Sequence, residues 1–123
     1  MKKVFYNKLV RDGIKAKIED LGESCSVRVL SDEAEYEQEL FKKVIEEASA
    51  LSHVRSREDF LAEYADLMVV LDALTAKLEI SEAELKVALT ENVTKKGLFK
   101  NRHFLEWSEE KTYISNETPQ GIK

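Results

Sequence analysis

Apolar residues recur at helical spacing along most of this chain, and the places where that rhythm breaks mark out its elements. Val10, Ile14, Ile18 and Leu21 are spaced by four, four and three, which predicts a helix over about 7–21 with Gly13 as a weak point and Gly22 as its stop. Cys25, Val27 and Val29 then alternate with Ser24, Ser26 and Arg28, the period of a short extended segment. One strand cannot make a sheet, so this stretch is expected as an arm or as half of a two-stranded pairing. A second helix is expected from near Asp32, whose spacing to Glu35 resembles a capping box, to near Ser52, with Tyr36, Leu40, Val44, Ala48 and Leu51 along one face. Ser56 and Asp59 mark the start of a third helix reaching about Leu78. Ser81 and Glu84 form a further capping box, from which Leu85, Leu89 and Val93 carry a fourth helix to Gly97. Short connections make neighbouring helices antiparallel. The expected fold is all-α: an antiparallel bundle of about four helices with one short extended arm.

Composition narrows the class. The chain has 123 residues, 43% hydrophobic and 35% charged, with only 4 Gly and 1 Pro, which suits one helical domain and disfavours many-turned β folds. That domain is expected over 1–107, followed by a polar tail over 108–123. The net charge of -5 argues against a nucleic-acid binder, which would need a basic surface to neutralise phosphates. Cys25 is the single cysteine and His53 and His103 the only histidines, so neither an intrachain disulfide nor a zinc cluster is available. No apolar run is long enough to span a bilayer, and an interrupted N-terminal pattern excludes a signal-peptide core. A cytoplasmic protein with no membrane partner is expected.

The acidic residues are unevenly placed. From Ala62 to Ala76 the third helix has Glu63, Asp66 and Asp72 as its only charged residues. At about 100° per residue, Glu63 falls between Val70 and Leu74 on the stripe defined by Phe60, Leu67, Leu71 and Leu78, with Asp66 at its edge. Glu47 falls on the apolar face of the second helix between Tyr36 and Leu40, and Glu46 points further toward its polar side. Carboxylates among aliphatics must be protonated, paired or metal-bound. Two readings stand side by side: solvated faces paired with neighbouring lysines, or facing carboxylates gripping a hard cation such as Mg2+ or Mn2+.

Four stretches together carry a resemblance. They are Tyr6-Asn7-Lys8-Leu9-Val10-Arg11-Asp12 with Ile14; Ile45-Glu46-Glu47; Glu63-Tyr64-Ala65-Asp66-Leu67; and Lys96-Gly97-Leu98-Phe99-Lys100-Asn101-Arg102. This ordered set resembles small proteins related to phosphoribosyl-ATP pyrophosphohydrolase, within the all-α MazG-like nucleotide pyrophosphatase superfamily, and covers most of residues 6–105. The superfamily pattern of Glu-x-x-Glu followed by Glu-x-x-Asp implies Glu47, Glu63 and Asp66 as metal ligands. Ala50 stands at the fourth position without a ligand atom, and Leu98 stands where relatives often carry a second glycine.

The resemblance implies a Mg2+-dependent (or Mn2+-dependent) hydrolase that cleaves a nucleoside triphosphate between the α and β phosphates, releasing pyrophosphate. Glu46 or Glu47 would orient the attacking water as a base. A triphosphate also needs protein cations, for which Lys8, Arg11, Lys96 and Arg102 are the candidates. Ala50 keeps open the alternative of a catalytically weakened nucleotide-binding or regulatory module. Because the third helix is apolar around most of its circumference, a face bearing Leu61, Ala65 and Met68 is expected to meet another chain in a homodimer or dimer of dimers.

Overall fold

Three of the four helices among the described residues begin where a side chain takes up a free amide. In the computed structural model, which describes residues 2–109, the chain order is α1 (Ile14–Asp20), α2 (Glu33–Ser52), α3 (Arg57–Lys77) and α4 (Glu82–Lys96). Most of the polar tail expected over 108–123 lies outside the described residues. The Asp32 carboxylate accepts from the Ala34 amide at the head of α2, and Ser56 accepts from the Asp59 amide at the head of α3. At α4 the capping box is complete: the Glu84 amide donates to Ser81 Oγ at 3.2 Å and the Ser81 amide donates to Glu84 Oε2 at 2.8 Å. These bonds hold the Glu84 carboxyl below the usual carboxylate range.

Two expectations are corrected and one open alternative is decided. The first helix starts at Ile14 rather than near residue 7: Asn7 takes a left-handed φ of 47°, which breaks any earlier turn, and Gly13 is the N-cap, with no side-chain hydrogen bond. Val10 therefore precedes the helix whose stripe it seemed to join. Of the two alternatives for the segment from Ser24 to Leu30, an arm or half of a two-stranded pairing, it takes the arm: no strand partner exists among the described residues, so its backbone has no ladder to enter. The capping box at Asp32 is only half made, since Glu35 is drawn instead to Arg28 through two bonds of 3.0 and 2.8 Å. That fork lowers the Glu35 carboxyl.

Two helix ends share one motif. After α1 the Gly22 amide reaches Glu19 O and the Glu23 amide reaches Ile18 O; after α3 the Glu79 amide reaches Ala76 O and the Ile80 amide reaches Thr75 O. Gly22 supplies the left-handed residue at φ 79°, whereas Glu79 adopts φ 56° with a full side chain.

The chain divides into two compact units, Met1–Leu85 and Lys86–Lys123. Within the first, α2 and α3 pack against each other as a hairpin. Their antiparallel sense is visible at the open end, where Lys77 from the end of α3 pairs with Glu33 from the start of α2 at 3.1 Å. Leu40, Val70 and Leu74 are the buried apolar side chains among the described residues. Other large apolar groups of the hairpin stay exposed, including Phe41 and Ile45 on α2 and Leu61, Tyr64 and Met68 on α3. In the second unit every described side chain except Val93 is exposed, Leu98, Phe99, Phe104 and Trp107 included.

Candidate metal centre

Antiparallel pairing sets which carboxylates meet. Glu47 lies about a turn and a half before the end of α2, and Glu63 about a turn and a half after the start of α3, so the hairpin brings them to the same height. Asp66 follows one turn later on the same face as Glu63. One carboxylate oxygen from each of Glu47, Glu63 and Asp66 lies within 4.8 Å of the others, and all three side chains are half-buried. Oxygens around an octahedral Mg2+ stand about 3 Å apart, so small side-chain rotations would bring these three onto one ion. The all-oxygen donor set and its three negative charges fit a hard divalent cation.

Repulsion within the cluster is visible in its acidities. Partial burial first, and then the charges of Asp66 and Glu47, push the Glu63 carboxyl above the usual range. Glu46 behaves in the opposite way. Its Oε1 accepts from Lys8 Nζ at 2.7 Å and its Oε2 from Lys43 Nζ at 3.0 Å, and these two bonds hold it below the usual range. It does not join the converging oxygens, and a carboxylate stabilised by two ammonium groups is a weakened base. The place of Ala50, half-buried on the next turn of α2, is not filled by Glu46.

Cations ring the cluster. Lys8 is tied to α2 through Glu46, and its charged form is favoured by that bond. Arg11 reaches Asp66 on α3 at 3.4 Å. The segment before α1 thus bridges both helices of the hairpin. Lys43, which sequence reasoning overlooked, is the one buried charged residue among the described residues. It lies 3.0 Å from Glu46 and 3.7 Å from Glu47. A signal for it existed: Lys43 precedes Glu47 by four residues, one helical turn, and so shares its face.

The remaining candidates belong to the second unit: Lys96 ends α4, and Arg102 follows it in a left-handed conformation at φ 58°. No helix is long and apolar enough to cross a membrane among the described residues. No protein-family model, no curated protein and no solved structure matches the chain.

Proposed function

We propose that the chain is a divalent-metal-dependent nucleotide pyrophosphohydrolase, converting a nucleoside triphosphate to the monophosphate and pyrophosphate. The observation that carries this reading is the convergence of Glu47, Glu63 and Asp66 beside Lys8, Arg11 and Lys43. Counted with Glu46, four carboxylates face three cations, leaving one negative charge. Two added positive charges would reverse that sign. The loaded site would then favour a polyanion, while the empty one would repel it. The resemblance to MazG-like proteins points the same way.

Bound Mg2+ or Mn2+ would polarise the α-phosphate and lower the pKa of an attacking water. Glu63 and Asp66 would hold the ion from α3 and Glu47 from α2. Of the two candidate bases, Glu47 faces the cluster, whereas Glu46 is occupied by its lysines. Lys8 and Arg11, on the segment before α1, would turn toward the phosphates and shield their charge during attack.

The test is pyrophosphate release from a panel of ordinary and modified nucleoside triphosphates with Mg2+ or Mn2+. Glu63→Ala is expected to abolish turnover; turnover unchanged by it would sink the assignment. Ala50, which offers no fourth carboxylate, favours a second reading of a nucleotide-binding module without turnover. Metal-dependent nucleotide binding with no product would select it.

The exposed apolar groups of α3 support a homodimer as the working form, with Leu61 and Met68 at the contact. Light scattering is expected to give twice the 14.1 kDa chain mass for the parent and the single-chain mass for Met68→Glu. A monomeric parent at micromolar concentration would refute this assembly.

A further inference from the structure

Glu46 is shared by two lysines of unequal freedom. Lys43 is buried on α2 and also approaches Glu47, so its place is fixed by the hairpin. Lys8 is partly exposed, stands on a segment with no regular structure, and also lies 5.8 Å from the Tyr6 ring centroid. A carboxylate with one lysine on each oxygen can release one and remain paired. With only one partner, that same release would leave it to water alone, without an opposing charge.

We infer that Glu46 is a holding site for Lys8, and that Lys43 is the positioning residue that allows Lys8 to transfer from Glu46 to a phosphate of the bound substrate. The inference rests on the metal-dependent nucleotide reading above and adds a division of labour to it. Lys43 offsets part of the charge of Glu46 and Glu47. Lys8 is then the exchangeable cation, delivered by the segment before α1. Arg11, which bonds Asp66 on the other helix before substrate arrives, brings that segment within reach of the cluster. Glu46 on this account touches no reacting atom.

The experiment uses the full chain and two probes: Mn2+ alone, followed by electron paramagnetic resonance, and tripolyphosphate at saturating Mg2+, followed by calorimetry. Lys8→Met should weaken tripolyphosphate binding about tenfold, the worth of one charge-assisted hydrogen bond. Lys43→Met should cause a similar loss, because Lys8 is then Glu46's only partner and stays there. The double variant should therefore bind no more weakly than Lys43→Met alone, and Lys43→Arg should recover most of the affinity. Losses that multiply in the double variant would overturn the inference. Should Lys43→Met fail to fold, Glu46→Gln decides: releasing Lys8, it should tighten tripolyphosphate binding several-fold. Unchanged or weaker binding would overturn the inference. A parent chain that binds neither Mn2+ nor tripolyphosphate would instead remove the underlying reading. A parent that binds both, with multiplying losses, overturns the inference and leaves the metal-dependent nucleotide reading standing.

Discussion

The two ends of the α2–α3 hairpin are built on opposite principles. Toward the open end Leu40, Val70 and Leu74 are buried, and one exposed pair, Lys77 with Glu33, marks the rim. Toward the connection the same two helices turn Glu47, Glu63 and Asp66 toward one another and need Lys8, Arg11 and Lys43 to offset them. One end spends apolar area on stability, and the other spends stability on convergent charge. Helix-forming tendency does not explain the difference, since α2 and α3 run unbroken through both ends. The side chains alone divide the hairpin into a clamp and a site.

The strongest way to break that division is to cut the clamp. Leu74→Ala removes a side chain that is 5% exposed and should cost about 2–5 kcal/mol, the range for deleting a buried leucine. Denaturant melts should show it, and addition of Mg2+ should recover only part of the loss through binding. A cost below about 0.5 kcal/mol, that of an ordinary surface change, would mean that this end is no core.

At the other end the sign should reverse. Glu63→Gln keeps the volume and removes one of three mutually repelling charges, so the metal-free protein should melt no lower than the parent. Mn2+ affinity should fall at least about tenfold, since even partners outside the ligand set change affinity that much. The pH dependence sharpens the same contrast. With its carboxyl raised above the ordinary 4.5, Glu63 holds its proton in the folded state after the unfolded chain has released it. Its contribution is present at low pH and is lost as pH rises through the raised value. Glu46 is lowered, so its contribution is present above the ordinary range and is lost as pH falls below it. The other acidic groups acting on Glu63 are Asp66, Glu47 and Asp59, with Lys8, Arg11 and Lys43 beyond them. Melts in chelator between pH 4 and 7 should therefore show a decline just above the ordinary glutamate range in the parent, absent from Glu63→Gln. An identical profile in both proteins would remove Glu63 from the repelling set.

How far these regions can be read from sequence follows the same divide. Angular counting put Glu63 between Val70 and Leu74, which are the buried residues of α3, because helix geometry is local and regular. Ser56 and Ser81 were legible as caps for the same reason. What failed was competition over distance. Glu35 left its cap for Arg28, across a loop whose path no periodicity encodes. Lys43 was one lysine among many until α3 fixed which face of α2 was buried. The stripe through Val10 looked helical, yet Gly13 and the ties from Lys8 and Arg11 hold that stretch off the helix. The all-α class and the acidic trio were in the pattern, and Lys8 and Arg11 were among the candidate cations; which carboxylate each cation meets, and the burial of Lys43, were not.

The smallest effect should come from the clamp's own flaw. Glu79 closes α3 in the left-handed conformation that Gly22 adopts after α1, with the same pair of reversed hydrogen bonds. A side chain there costs about 1–2 kcal/mol against glycine, and the extra freedom of an unfolded glycine returns part of that. Glu79→Gly should therefore stabilise the protein by roughly 0.5–1 kcal/mol. Since Glu79 lies beyond Lys77, at the end away from the carboxylates, Mn2+ affinity should stay unchanged. Melts and metal titrations on the one variant read the two ends separately. A gain in stability accompanied by altered metal affinity would show that clamp and site are coupled through α3. A gain in stability alone would mean that the hairpin's open end can be improved without disturbing the charges at its connection.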